Sequence, residues 1–253
     1  MLKFKLSFLR LIPLVAFILG WQRLVGNDRH LAFYFGSPSR IWEYLVSKSS
    51  DGSLEIDFFT TLGETLSGFL LGNILGTCIG LSLWFSTRAF DIARPYIIAL
   101  GAAPVFSLAP LMIIWFGTGL FSKIMMATLS TFFVALLQAY SGAAEVDAGH
   151  IKLMKSMNAS KMVIFRKVIA PSSIVWVIAA FRINIGFALL GTFVGEYISS
   201  EKGLGHLILV ATGLFDISLV LTGVLMLMII ALGLNFLMNR IQSPIKKIIV
   251  QCL

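Results

Sequence analysis

The sequence predicts an all-α integral membrane protein with six transmembrane helices and a helical cytosolic loop between helices 4 and 5. Hydrophobic residues form 58% of the 253 positions and charged residues only 13%, which is too little charge to cover the surface of a soluble domain. The charges are clustered between long uncharged stretches. Lysine and arginine are also concentrated in every second loop, as is typical of loops on the cytoplasmic side of membrane proteins.

The predicted spans are the long apolar stretches, because a helix needs about 20 such residues to cross the hydrocarbon core. They lie at about 8–26, 65–87, 95–117, 123–144, 172–197 and 217–239. The first is the shortest: its uncharged part, Leu11 to Trp21, has eleven residues and depends on flanking arginines that snorkel. A secretory signal peptide is the alternative, but no small-x-small cleavage site follows. We therefore expect an uncleaved first helix.

Residues 22–64 form the largest outer segment of this topology. Within it, Ser37 precedes Pro38 and an amphipathic stretch to residue 48, which predicts a capped helix lying on the membrane surface. For the rest of the segment, a solvated connector is an equal alternative.

Glycine recurs at every fourth position of the second span, at Gly68, Gly72, Gly76 and Gly80. Glycines at this spacing form a groove along one helix face, where a second helix can approach closely. This glycine seam predicts either an interface between subunits or packing within one subunit, which is the more frequent use of such seams.

The third and fifth spans carry residues that are unusual in hydrocarbon. Pro104 and Pro110 distort the third helix and free backbone carbonyls, and such breaks are tolerated where they face protein or a water-filled path. Arg182 and Asn184 lie within the fifth span and Glu196 near its end. All five are candidates for the translocation path or for packing in the bundle, with snorkelling as the alternative for Arg182.

The loop between the fourth and fifth spans, residues 145–171, is polar and strongly basic. Its five lysines and arginines against two acids place it on the cytoplasmic side. Apolar residues at helical spacing, with a break at Ala159–Ser160, predict two short amphipathic helices joined by a polar turn. Pro171 closes the loop and can start the next helix. We expect the loop to contact a cytosolic component, with Met154 and Met157 on one helix face; a helix resting on the inner leaflet is the alternative.

Several motifs of the second half carry a family resemblance. They are Asn158-Ala159-Ser160, Ile164-Phe165-Arg166-Lys167-Val168-Ile169-Ala170-Pro171, Phe181-Arg182-Ile183, Glu196 and Gly203-Leu204-Gly205. The chain resembles the permease subunit of binding-protein-dependent ABC importers, most closely the nitrate/sulfonate/taurine branch, from about Pro38 to Asp216. The family's loop motif, E-A-A-x-x-x-G, nine residues and then I-x-L-P, aligns with Lys152-Leu153-Met154, Asn158, Val168, Ala170 and Pro171. Only the proline is identical.

The resemblance implies a transporter of several chains in the bacterial inner (cytoplasmic) membrane. Two copies of this chain would form the path, two ATPase subunits would bind beneath them, and an outer binding protein would deliver the solute. The loop residues that would couple to the ATPase are Lys152, Met154, Lys155, Met157, Asn158, Ala159, Ser160 and Pro171. ATP and Mg²⁺ would be bound by the partner, so no cofactor is expected on this chain. The implied solute is a sulfonate, nitrate or taurine-like anion, or a thiamine-precursor-like pyrimidine.

The sequence gives no sign of an enzyme. It lacks the G-x-x-x-x-G-K-[ST] loop of an ATPase and the spacings of zinc sites, so neither ATP hydrolysis nor a metal is expected on this chain. No segment combines clustered cations with stacking aromatics, which excludes a nucleic-acid partner. The net charge of +8 follows the topology instead: of 20 lysines and arginines, thirteen fall on the predicted cytoplasmic side, six outside, and Arg182 within the membrane. Both termini are accordingly expected in the cytoplasm.

Two other classes of protein stay open. A secondary transporter driven by an ion gradient would need no ATPase partner. Such proteins usually carry several ionisable residues inside their spans, and only Glu196 approaches that here. A non-transporting membrane scaffold is the other class.

Overall fold

The computed structural model describes residues 2–26 and 28–252, with side chains for residues 12–13, 15–26, 28 and 30–242. This described chain is helical, which confirms the all-α part of the predicted fold class. Its elements are α1 (Leu2–Gly26), α2 (Arg29–Phe35), α3 (Pro38–Ser50), α4 (Ser53–Leu83), α5 (Thr87–Gly101), α6 (Val105–Phe116), α7 (Leu120–Ala144), α8 (Ala148–Ser156), α9 (Lys161–Ile164), a π-helical turn (Phe165–Ile169), α10 (Ala170–Ser199), α11 (Leu204–Gly213) and α12 (Ile217–Cys252).

Four helices are long and apolar enough to cross a membrane over the described residues. They are α4, α7, the continuous helix Lys161–Ser199, and α12 over Ile217–Gln242. The bent pair α5 and α6 could supply a fifth crossing. The described apolar part of α1, Val15–Gly26, is shorter than a span, and the side chains of residues 8–11 lie outside the described ones. The predicted number of six crossings is therefore not confirmed.

The predicted third span, residues 95–117, is not one helix. α5 and α6 meet at an angle of 95°, and the chain is interrupted between Gly101 and Val105. Pro104 precedes α6 with an extended backbone, at φ −62° and ψ 124°. Proline lacks an N–H group and disfavours helical geometry in the residue before it, so the helix stops here. Pro110, in contrast, is accommodated inside α6.

The fifth span begins earlier than predicted, and Pro171 does not close the loop. The helix that ends at Ser199 already starts at Lys161, so the second predicted loop helix is its first turn. Just before Pro171, the π-helical turn Phe165–Ile169 ends with a hydrogen bond from Ala170 N–H to the Phe165 carbonyl. Proline removes a donor and crowds the carbonyl one turn earlier. A π turn is one way in which a helix accommodates such an interruption.

The second span is also longer than predicted at its start. α4 begins at Ser53, directly after Gly52, whose φ of 75° permits the tight turn from α3. The last part of the predicted outer segment, up to Glu64, is therefore helical and part of the bundle. α3 itself begins at Pro38, and the Ser37 side chain caps it, as the sequence predicts.

α4, α7 and α10 pack together at the centre of the molecule. The glycine seam of α4 faces α7 of the same chain: a Cβ atom on Gly72 would lie 1.9 Å from Thr131 Oγ1. Cβ atoms on Gly68, Gly76 and Gly80 would lie 2.3–2.4 Å from other atoms of α7. In the described chain the seam therefore lets two helices of one subunit approach closely.

Candidate functional site

The loop after α7, residues 145–160, is fixed to the helices at both ends. Asp147 caps the start of α8 by accepting a backbone hydrogen bond at 2.7 Å. At the other end, Lys161 Nζ donates to the carbonyl oxygen of Phe85 and lies 5.5 Å from the ring centroid of Trp84. The cation thus sits at the end of α4, where the helix dipole is negative.

The C-terminal turn of α8 depends on Asn158. Asn158 N–H donates to the Lys155 carbonyl at 2.9 Å, and Ala159 N–H donates to the Met154 carbonyl at 3.0 Å. This pair of hydrogen bonds is a Schellman motif, whose turning residue is left-handed and usually glycine. Asn158 has φ 58°, and asparagine is one of the few other residues that adopt this region readily. The position where the family motif has glycine therefore keeps glycine-like geometry.

The apolar side chains of α8 divide between two faces. Met154 packs against the chain's own cluster around Ile164. Leu153 and Met157, in contrast, are 59% and 70% exposed. The spacing predicts one exposed face for Met154 and Met157, but only Met157 is exposed. Met157 N–H keeps the helical hydrogen bond to the Leu153 carbonyl, so Met157 lies on the same side of α8 as Leu153, whereas Met154 turns towards the cluster. The exposed apolar pair is Leu153 and Met157.

The other predicted loop residues take supporting positions. Lys152 and Lys155 are exposed on α8, and Ala159 is partly buried. The Ser160 side chain caps α9. All of these lie in the loop, whereas Pro171 belongs to α10.

The end of the bundle opposite the loop, called the far end below, contains a buried polar network around Glu196. The Glu196 carboxylate accepts hydrogen bonds from Thr61 Oγ1 and from Gly205 N–H, both at 2.7 Å. Thr61 Oγ1 in turn accepts from Leu204 N–H at 2.9 Å. The first amides of a helix have no partner inside it. Side chains of α4 and α10 therefore cap the start of α11.

Glu196 also explains the Gly203-Leu204-Gly205 motif. Gly203 has φ 104°, and a Cβ atom there would lie 2.3 Å from Glu196 Oε1. A Cβ atom on Gly205 would lie 2.7 Å from Glu196 Cβ. Gly203 N–H donates to Asp57 at 2.7 Å, and Leu204 is fully buried. The motif is thus a close-packed joint between α4, α10 and α11.

The far end also contains a buried ion pair that the sequence analysis missed. Lys123 Nζ lies 3.9 Å from Glu64 Oε1, and the two side chains are 8% and 1% exposed. The sequence had placed both residues at outer turns because each borders an apolar stretch. A usable signal was the spacing of Thr61, Glu64, Thr65 and Gly68, which continues the glycine seam along one helix face.

Asn184 lies in the packed centre of the bundle. Its Nδ2 donates to Asn73 Oδ1 at 2.7 Å and to the carbonyl of Thr131 at 3.0 Å. Asn73 and Thr131 are buried with it. Asn184 therefore joins α4, α7 and α10 by hydrogen bonds, which favours the packing alternative for this residue.

Arg182 is exposed on α10 and is hydrogen-bonded to α12. Its Nε donates to Gln242 Oε1 at 2.8 Å, and its Nη2 donates to Asn239 Oδ1. Pro104 and Pro110 are exposed on the α5–α6 side. Pro104 borders an apolar crevice of about 280 Å³ beside α7 and α10. The structure does not bring these residues together with Glu196.

The sequence profile of a family described as "Binding-protein-dependent transport system inner membrane component" matches residues 68–247. The chain belongs to this family. It is a permease subunit of a binding-protein-dependent ABC importer, an inner-membrane component with several apolar helices, and the resemblance inferred from its motifs is confirmed.

Relatives within the family are permeases of different systems. The chain is 31% identical over 191 residues to a probable ABC transporter permease of Haemophilus influenzae, covering 76% of this chain and 77% of the relative. It is 29% identical to the formylaminopyrimidine transport permease ThiX of Halalkalibacterium halodurans, covering 80% and 81%. It is 30% identical to a putative aliphatic sulfonates transport permease, SsuC of Bacillus subtilis, covering 79% and 72%.

A solved structure shares the fold. It is an inward-facing form of the MetNI methionine ABC transporter, with a TM-score of 0.67 and 19% identity, and the match covers 77% of this chain and 96% of that one. At this identity the likeness concerns the fold alone.

Proposed function

We propose that the 145–160 loop of this ABC permease binds a separate ATPase subunit, and that the tip, Leu153–Ser160, is the contact. The observation that carries the proposal is the exposure of Leu153 and Met157, at 59% and 70%. They lie on a loop whose backbone is fixed by caps. Exposed apolar groups with a polar rim favour a protein partner, and methionine adapts to irregular surfaces. Lys152 and Lys155 form that rim.

The substitution Met157→Glu tests this contact. A carboxylate buried without a partner in a protein groove costs about 3 kcal/mol or more. We expect the permease to insert normally, but the ATPase recovered with it to fall at least tenfold and ATP-driven uptake to be lost. The matched control is Met162→Glu, at a 48% exposed methionine of α9 outside the tip, for which both readouts should be normal.

Two outcomes would contradict the docking proposal. One is wild-type ATPase recovery and uptake in Met157→Glu. The other is a loss of membrane insertion in both glutamate variants, which is expected if α8 and α9 rest on the inner leaflet.

The proposed topology has both termini and the 145–160 loop in the cytoplasm. Its support is the division of lysine and arginine, with thirteen on this side and six on the other. Reporter fusions after Ala144 and after Gln242 should both behave as cytosolic. Labelling of either position from outside the cell would refute this orientation.

Two copies of the permease and two ATPase chains are proposed to form the transporter, with ATP and Mg²⁺ bound by the ATPase. The mass of the purified complex tests this composition. A binding protein would deliver a small solute, such as a sulfonate, nitrate or taurine-like anion or a thiamine-precursor-like pyrimidine. Because relatives are named for different solutes, we expect selectivity to lie largely in the binding protein.

The alternative of an ion-gradient-driven transporter is separated by its energy source. Family membership favours ATP. Uptake should stop when the partner ATPase is deleted and should persist with a protonophore at constant ATP. The reverse pattern would favour the alternative.

A further inference from the structure

The break between α5 and α6 lies at the middle depth of the bundle. α5 starts near the loop end of α7, where Phe90 stacks on the ring of Tyr140, and α6 ends at Phe116, just before the far-end turn into α7. Between them, a Cβ atom on Gly101 would lie 3.0 Å from Phe133 Cβ, and Phe133 is close to the middle of α7. Because α7 is long and apolar enough to cross the membrane, the break lies at the depth of the hydrocarbon.

The break leaves backbone groups without hydrogen-bond partners. The N–H groups of Val105 and Phe106 donate to no acceptor in the described chain, because the first amides of a helix have no partner within it. The carbonyl oxygens of Ala102 and Ala103 accept no hydrogen bond from the described residues either. The rest of the chain does not cover this segment, since Ala102, Pro104 and Phe106 are exposed.

Lipid cannot satisfy these backbone groups. Irregular backbone at membrane depth is tolerated only where protein covers it or where it lines a water-filled cavity. The crevice beside residues 101–105 has about 280 Å³, whereas a water molecule takes about 30 Å³ in the liquid. An ordered water needs about two to four polar partners, and the free N–H and carbonyl groups of the break supply them. The crevice is therefore suited to hold water.

We propose that this break lines the water-filled path through which the solute crosses the membrane, so that the α5–α6 side of the bundle faces the path. The side chains at residues 101–103 are small, which leaves the backbone groups within reach of a passing solute. No charged residue of the described chain lines the crevice. The break thus offers N–H and carbonyl groups to a polar solute and does not select its charge. The inference rests on the proposed function, because it assigns the path of that permease.

Cysteine labelling of the full-length permease in lipid nanodiscs tests whether water reaches the break. Ala102→Cys is made in a chain that also carries Cys78→Ser and Cys252→Ser, and it is treated with the anionic reagent sulfonatoethyl methanethiosulfonate. This reagent attacks the thiolate, which forms in water and is disfavoured in an apolar environment. Phe106→Cys, at a residue that is 52% exposed, is a second variant on the same segment.

The matched control is Leu75→Cys, on an unbroken helix at the same depth. Leu75 is 48% exposed, and its neighbour Gly76 packs against Phe132 in the middle of α7. We expect Ala102→Cys and Phe106→Cys to react at least tenfold faster than this control. Slow reaction of both break variants, with or without a disulfide between two copies, would mean that lipid or protein covers the break and would overturn the proposal. Equally fast reaction of the control would also overturn it.

A second labelling separates a transport path from a closed water pocket. It uses inside-out membrane vesicles, in which the reagent and a non-hydrolysable ATP analogue both reach the cytoplasmic side only. A path that opens to one side at a time should close to this side when the ATPase binds the analogue, so labelling of Ala102→Cys should slow at least fivefold. An unchanged rate would indicate a static pocket and overturn the path assignment.

The two proposals fail separately. The nanodisc labelling needs no ATPase, so a failure of the Met157→Glu test leaves its result standing. Slow labelling of Ala102→Cys in nanodiscs, in turn, leaves ATPase docking at the loop untouched.

Discussion

The far end of the bundle buries charged side chains, whereas the 145–160 loop exposes apolar ones. At the far end, Glu64, Lys123 and Glu196 are charged residues with no more than 8% of the side chain or residue exposed. In the loop, the apolar side chains of Leu153 and Met157 are among the most exposed of their kind. Burying a charge and exposing a large apolar group are both unfavourable unless something compensates them.

The two regions differ in whether the groups that offset these unfavourable side chains belong to the same chain. Glu196 has its hydrogen-bond donors, Thr61 and Gly205, in the same chain, so this carboxylate is satisfied within one subunit. The loop has a backbone capped by hydrogen bonds but an apolar tip that the described chain leaves exposed. We therefore expect changes in the helical core to act on the permease itself, and changes at the tip to act on its assembly.

The largest effect on the permease itself is expected for Gly72→Leu. A Cβ atom at this position would lie 1.9 Å from Thr131 Oγ1 and 2.5 Å from a backbone carbonyl of α7, so α4 and α7 must separate. Overpacking of this kind costs about 3 kcal/mol or more. The yield of folded permease, measured by size-exclusion chromatography, should fall severely.

The matched control is Gly63→Leu, on the same helix. Nothing lies within 4 Å of a Cβ atom there, so its yield should be near that of the wild type. Unchanged folding and transport in Gly72→Leu would mean that the seam does not face α7.

An intermediate effect is expected for Arg182→Leu. Arg182 lies on α10, between the two regions. The change removes a hydrogen bond to the buried Gln242, and an unpaired buried acceptor costs about 1–3 kcal/mol. Insertion should be intact and ATP-driven uptake reduced, as expected if Arg182 positions the path. If both Leu and Lys at this position support wild-type uptake, snorkelling without a transport role is the better account.

The smallest effect is expected at the loop's turn. Asn158→Gly should be tolerated, since glycine adopts φ near 58° without strain. Asn158→Val should destabilise the turn by about 1–2 kcal/mol and lower the ATPase recovered with the permease. Equal recovery with both variants would show that the geometry of this turn does not matter for assembly.

Much of the fold could be predicted from apolar patterning, and much of the charged chemistry could not. The glycine seam, the Ser37 cap and a break near Pro104 all follow from local rules. Glu64 was missed because an acid bordering an apolar stretch suggests a water-exposed turn. It is buried beside Lys123 and Glu196, which lie far away in sequence.

The loop shows the same limit of local reasoning at a smaller scale. Helical spacing predicts Met154 and Met157 on one exposed face, but Met154 packs against the cluster around Ile164 and only Met157 is exposed. Pro171 lies in the first turn of α10, as the proline rules predict, but the π-helical turn before it keeps α10 continuous with α9. The burial of Met154 depends on packing against Ile164 and Ala143, which the spacing of apolar residues within α8 does not record.

The capping of α11 depends on the close-packed joint at Gly203–Gly205. Its first amides are bonded to Asp57 and Thr61 of α4 and to Glu196 of α10. A relative slide of α4 and α10 by as little as one hydrogen-bond length would uncap α11, since carboxylate and hydroxyl would no longer reach the amides together. Hydrogen exchange of these backbone amides with solvent therefore reports whether the far end moves as one rigid body during transport.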